Sequence, residues 1–219
     1  MHVALADSAK PLDPLELASH GPVIPVIVIE HAEHAVPMAR ALFEGGIRVL
    51  EVTLRTPAAL AAIAAIAQSG PDAIVGAGTV RSGADARAAL AAGARFAVSP
   101  GWSPRVAAAC REIGLALLPG VATASEVMLA TDEGFRFLKF FPAVAAGGTA
   151  MLKAWGSVFA DVAFCPTGGI TVASAPDYLA LANVKVVGGS WLTPPDALDA
   201  ADWPRVERLA REAASLKAK

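Results

Sequence analysis

Eight times along the chain a short, apolar, β-branched run gives way to a longer stretch rich in Ala and Leu, and this alternation constrains the fold more than any other feature. The strand-like runs cover 23–29, 47–54, 73–79, 96–100, 116–121, 137–141, 162–167 and 185–189. Between and after them lie helical stretches near 32–44, 57–68, 83–91, 104–113, 124–133, 149–159, 176–182 and 204–217. The runs are apolar enough for strands covered on both faces. Strand-then-helix order repeated with such strands predicts an α/β protein whose parallel sheet closes into a (β/α)8 barrel of the TIM type. An open doubly wound sheet would want a Gly-rich turn after its first strand, where this chain has Glu30 and His31 instead.

With 219 residues the chain can bury a full core as one compact domain over 21–219, preceded by an N-terminal segment or helix at 1–20. Gly45, Gly70, Gly93, Gly114 and Gly134 are expected to end helices as left-handed caps. Thr56 before Pro57, and Thr123 with Glu126 three residues later, read as helix starts, and Pro37 should kink the first helix. A mean hydropathy of +0.52 is high for a soluble monomer and implies apolar surface covered by other subunits. The longest unbroken apolar run, 58–67, is far short of the ~20 residues of a membrane span. Asp7, Asp13 and Glu16 near the start do not resemble a secretory signal, so a cytoplasmic location is expected. A net charge of -2 offers no basic surface for nucleic acid and leaves small molecules as the expected partners. Cys110 and Cys165 read as buried thiols, and His31 and His34 as a solvated helix face, so no metal site is expected.

Chemistry in such a barrel sits at the C-terminal ends of the strands. The run from Phe137 to Pro142 carries a lone Lys, and the two-residue period puts Phe137, Lys139 and Phe141 on one face with Leu138 and Phe140 on the other. An ammonium between two aromatic rings loses hydration, which favours the neutral amine and a Lys able to attack a carbonyl. Glu51, Thr53 and Arg55 share one parity in the second strand, and strands two and six face each other across a barrel, so Glu51 and Lys139 can meet. An ion pair placed there only to fill space would stabilise poorly, because desolvation offsets the attraction. Arg55 could grip a carboxylate with its planar fork. Two Gly-rich strand ends, Thr167-Gly168-Gly169 and Gly188-Gly189-Ser190, fall on the loops where barrels commonly hold phosphate. Thr79, Pro100 and Phe141 are further strand-end residues, and Gly147-Gly148 reads as a loop entering a helix.

Several runs together carry a resemblance: VIPVIV (23–28), VLEVTLRT (49–56), IVGAGTV (74–80), FLKFFPA (137–143), FCPTGGI (164–170) and GGSWL (188–192). On these the chain resembles the 2-keto-3-deoxy-6-phosphogluconate (KDPG) aldolases, also called 4-hydroxy-2-oxoglutarate aldolases, over most of its length. The resemblance implies a class I aldolase that cleaves 2-dehydro-3-deoxy-6-phosphogluconate to pyruvate and glyceraldehyde 3-phosphate and also acts on 4-hydroxy-2-oxoglutarate. It implies a Schiff base on Lys139, proton transfer by Glu51, and a carboxylate held by Arg55 and Thr79. Pro100 and Phe141 would shape the pocket, Thr167 would meet substrate hydroxyls, and Gly168, Gly169 and Ser190, with Gly188 and Gly189 beside it, would hold phosphate. Val28 stands where some related aldolases carry an Arg, as in the phosphogluconate-type enzymes. No metal or organic cofactor is implied, since a protonated imine is its own electron sink, and the family's assembly implies a homotrimer. Two rival readings of the residues remain open: a sugar-phosphate isomerase or epimerase using Glu51 as its base, and a silent barrel that only binds phosphorylated metabolites.

Overall fold

The protein's structure, a computed structural model, describes residues 12–216. The expected N-terminal segment over 1–11 and the expected helix end at Lys217 lie outside the described residues. Among the described residues nine strands are interleaved with helices: β1 (Val23–Ile27), β2 (Val49–Thr53), β3 (Ile74–Gly78), β4 (Phe96–Val98), β5 (Ala116–Leu118), β6 (Gly120–Val121), β7 (Phe137–Phe140), β8 (Ala163–Pro166) and β9 (Val187–Gly189). The helices are α1 (Ala35–Glu44), α2 (Ala59–Ser69), α3 (Gly83–Ala91), α4 (Pro104–Glu112), α5 (Ala124–Asp132), α6 (Gly148–Val158), α7 (Ala175–Leu179), α8 (Pro195–Asp199) and α9 (Trp203–Ala214). All strand pairings are parallel, in a six-stranded sheet ordered β5-β4-β3-β2-β1-β9 and a three-stranded sheet ordered β6-β7-β8. Two isolated parallel bridges join β8 and its end to the segment that leads into β9 and to β9 itself, Phe164 to Val184 and Thr167 to Gly188.

The expected fifth strand over 116–121 is two short strands, β5 and β6, separated by Pro119. Proline has no N–H to give to a ladder, so the run breaks there although its apolar pattern is continuous. Its carbonyl still accepts from Lys139 N at 2.8 Å, which ties the break to the strand that carries the Lys.

Side-chain alternation sorts the core into two clusters. One joins the outward faces of the strands to the helices and includes Leu138, Phe140 and Trp155, the last two rings meeting edge-on at 5.2 Å. The other gathers Ile24, Val49, Phe96, Val98, Leu118, Phe137, Cys165 and Val186. Leu17 joins this second cluster from a 3-10 helix, Pro14–His20, which closes the expected N-terminal segment.

Local signals have mixed outcomes. Thr123 and Glu126 form the expected capping box on α5, so Thr123→Ala should lower stability by about 1 kcal/mol, read as a lower urea midpoint at unchanged slope. Gly93, Gly114 and Gly134 take positive φ as expected, but Gly45 stays right-handed at φ -74, with Gly46 at φ 94 supplying the turn, and Gly70 is extended. Thr56 does not cap α2, because its hydroxyl donates to Ile29 O at 2.5 Å and the helix begins at Ala59. A 3-10 turn at Ala32–His34 precedes α1, leaving Pro37 in the first turn of α1, where a missing N–H has no intrahelical partner to lose.

Candidate active site

Lys139 and Glu51 come together. Lys139 Nζ lies 3.0 Å from Glu51 Oε1, with the two residues 5% and 3% exposed. β7 supplies the Lys and β2 the Glu, each on the inward parity of a strand whose outward residues pack on helices. Gly78, at the end of β3, makes room for the carboxylate: a Cβ there would overlap the Glu51 side chain. The Phe141 ring centroid is 5.5 Å from Lys139 Nζ. Cys165 pairs with Lys139 across the β7–β8 ladder, and burial pushes its thiol up to about 12, an effect that Lys139 lowers and Glu51 raises. It therefore adds a neutral wall to the pair rather than a second nucleophile.

Beside this pair, a cavity of 140 Å³ is lined by Arg55, Phe141, Thr167, Gly168, Gly169, Gly188, Gly189 and Ser190. Eight of the residues expected from the sequence thus border one small space, which Val26 and Ile170 complete. Those last two were not anticipated. Ile170 follows directly on the Thr167-Gly168-Gly169 run, which was the signal available for it. Gly168 and Gly169 take φ of 103 and 79, a left-handed loop that exposes backbone rather than side chain. Thr167 is buried beside Gly188, where a Cβ would overlap its hydroxyl, so the two Gly-rich strand ends pack directly on each other. Ser190 stands exposed at the rim.

Thr79 and Pro100 do not line this cavity, although both neighbour the Lys–Glu pair through the backbone. Thr79 follows Gly78, the residue against Glu51, and holds φ 60, which costs a β-branched side chain about 1–3 kcal/mol. Pro100 packs its carbonyl carbon against Gly120, the ladder partner of Lys139. Arg55 is exposed, but its Nε donates to Thr53 Oγ1 at 3.0 Å, and Thr53 Oγ1 in turn donates to Ile27 O at 2.7 Å. Larger cavities of 430 and 530 Å³ lie around the starts of the same strands, near Phe137 and Ala163, and hold none of the expected residues. His31 and His34 meet edge-on at 5.4 Å; His31 is exposed as expected, while His34 is half-buried and rests against Trp203 at 5.4 Å.

Residues 16–209 match the aldolase family described as KDPG and KHG aldolase. The chain belongs to the KDPG and KHG aldolase family. Among its relatives, the 2-dehydro-3-deoxy-phosphogluconate aldolase of Pseudoalteromonas atlantica is 52% identical over 198 residues, covering 90% of this chain and 92% of the relative. The KHG/KDPG aldolase of Escherichia coli is 54% identical over 193 residues, covering 88% and 91%. The crystal structure of the KDPG aldolase of Legionella pneumophila, with pyruvate captured as a covalent carbinolamine intermediate, superposes with a TM-score of 0.91 at 46% identity, covering 93% of this chain and 99% of that one. Family membership gives the buried Lys–Glu pair a chemical setting: an aldolase in which a solved relative holds its keto acid covalently.

Proposed function

We propose that the chain reversibly cleaves 2-dehydro-3-deoxy-6-phosphogluconate to pyruvate and glyceraldehyde 3-phosphate through a Schiff base on Lys139, and 4-hydroxy-2-oxoglutarate to pyruvate and glyoxylate by the same steps. The observation that carries this reading is the buried 3.0 Å contact between Lys139 Nζ on β7 and Glu51 Oε1 on β2. In this mechanism Nζ adds to the C2 carbonyl carbon to give a carbinolamine, and loss of water leaves a protonated imine. Glu51 accepts the proton of the C4 hydroxyl as the C3–C4 bond breaks. The bonding pair flows into the imine, which becomes an enamine, and the aldehyde departs. The proton held by Glu51 is returned to C3, and water hydrolyses the imine to release pyruvate and free Lys139.

Arg55 and Thr79 hold the substrate carboxylate in this reading, Pro100 and Phe141 shape the pocket, and Thr167 meets the substrate hydroxyls. Gly168, Gly169, Gly188, Gly189 and Ser190 hold the phosphate, supported by the left-handed glycine loop and the rim hydroxyl that face one cavity. Treatment with pyruvate and borohydride followed by intact mass tests the central claim, since a permanent adduct is expected of an aldolase and not of an isomerase or a silent binding protein. Ser190→Ala should lower kcat/KM for the phosphorylated substrate by very roughly 10- to 150-fold, the worth of one hydrogen bond to a charged group. For unphosphorylated 4-hydroxy-2-oxoglutarate the loss should be much smaller, and an equal loss on both would remove phosphate recognition from Ser190.

The architecture belongs to the same proposal. The single domain expected over 21–219 is kept in this reading, and within its described residues the two sheets are arcs of one closed (β/α)8 barrel, supported on one side by the lone residue between β5 and β6 and on the other by the Thr167–Gly188 bridge. The assembly is a homotrimer in the cytoplasm, with small molecules and not nucleic acid as partners. Adjacent exposed Met128 and Leu129 on α5 give an apolar face for a neighbouring subunit, and no described helix is long and apolar enough to cross a membrane. Light scattering in solution tests the trimer.

A further inference from the structure

Thr53 closes β2, two residues beyond Glu51, and is 1% exposed. Its hydroxyl donates its one proton to Ile27 O at 2.7 Å and accepts Arg55 Nε–H at 3.0 Å. A buried hydroxyl whose proton is committed to a backbone carbonyl has its remaining lone pairs fixed in direction, and the donor that meets them is fixed in turn. The guanidinium is planar, so holding Nε sets the plane of the whole group and leaves Nη1 and Nη2 as a free fork. No ion pair among the described residues competes for Arg55, whose side chain is otherwise exposed and lines the cavity beside Phe141 and Thr167. Rotamer freedom of an exposed Arg would spread that fork over many directions; the Thr53 hydroxyl selects one.

We propose that Thr53 is a positioning residue that aims the Arg55 fork at the substrate carboxylate, through a relay anchored on the Ile27 carbonyl. This rests on the assignment of Arg55 to the carboxylate. Thr53 touches no substrate itself, so its removal weakens carboxylate binding while leaving the Lys139 and Glu51 chemistry in place.

The test compares Thr53→Val, Thr53→Ser, Arg55→Ala and the double variant Thr53→Val/Arg55→Ala. Each is assayed for kcat and KM on 2-dehydro-3-deoxy-6-phosphogluconate and for half-saturating pyruvate in borohydride trapping. Pyruvate carries a carboxylate and no phosphate, which separates the two anion contacts. Thr53→Val should raise both KM and half-saturating pyruvate by roughly 5- to 20-fold with kcat changed by less than about twofold, and Thr53→Ser should stay within about twofold of the parent. In the Arg55→Ala background, Thr53→Val should add nothing further, because the group it aims is gone. Thr53→Ala gives the same reading if the valine variant does not fold. Full additivity of the two changes, or a valine variant that binds pyruvate normally while Arg55→Ala does not, would overturn the positioning role and leave the Arg55 assignment standing. An Arg55→Ala variant with unchanged pyruvate half-saturation would overturn that assignment, and this proposal with it.

Discussion

Replacing Lys139 by Met is expected to end imine formation altogether: no adduct after borohydride and pyruvate, and kcat lower by roughly 10⁴-fold or more, the scale met when a covalent nucleophile is removed. Met keeps the length and bulk of the aliphatic stem, so the packing against Phe141 and Cys165 persists. The substitution also leaves Glu51 buried without its partner, a situation that costs about 3–5 kcal/mol for a broken buried pair. A loss of activity could therefore reflect unfolding. Lys139→Met/Glu51→Gln removes that ambiguity, since a neutral Gln can sit in the same space without a charge to desolvate. Circular dichroism of the double variant should match the parent while trapping stays absent. A retained adduct would move the imine to another Lys, with Lys153 the nearest in sequence, although that residue stands exposed on α6.

The second large effect concerns the partner. Glu51→Gln preserves shape and one acceptor oxygen but cannot take a proton, so cleavage and deuterium exchange at the pyruvate methyl should both slow by roughly 10²–10⁴-fold. Imine formation should survive, because Lys139 remains, and the variant should still yield a borohydride adduct. Trapping and exchange thus separate the two residues: the Lys139 change removes both signals, while the Glu51 change slows exchange and leaves trapping in place. Normal exchange in Glu51→Gln would return Glu51 to a purely structural partner of the Lys. The pair would then hold the site together without moving protons through it.

Much of this arrangement was legible in the sequence because periodicity is a geometric statement. The two-residue period of 137–141 placed Lys139 with Phe137 and against Leu138 and Phe140, and the two core clusters divide these residues in the same way. The parity of Glu51 and the opposed positions of the second and sixth strand units led to their meeting, now a 3.0 Å contact. Physical detail limited the rest. Thr56 reads as a helix start by type, yet the loop after β1 offers its hydroxyl the Ile29 carbonyl, an acceptor no local pattern reveals. Gly45 and Gly46 are interchangeable to a sequence rule, and only the turn onto the next strand decides which takes positive φ. α8 and the 3-10 helix at Pro14–His20 are too short to show a period, and the latter is held by the burial of a single residue, Leu17. The left-handed Thr79 was similarly out of reach, since a Thr gives no warning of a conformation that glycine usually supplies.

The division of β7 into a chemical side and a packing side limits how this chain can change over evolutionary time. Inserting or deleting one residue ahead of Lys139 within the strand would rotate every later side chain by half a turn, sending the ammonium out among the helices around Trp155 and an aromatic ring in toward Glu51. No compensating substitution at one position could repair both faces. Length variation is thereby confined to the helices and to the connections between elements, while the strands drift by exchange of one side chain for another. Libraries built to alter the substrate range of this scaffold should follow the same limit, fixing the strand lengths and varying the cavity positions that carry no proton, such as Val26 and Ile170.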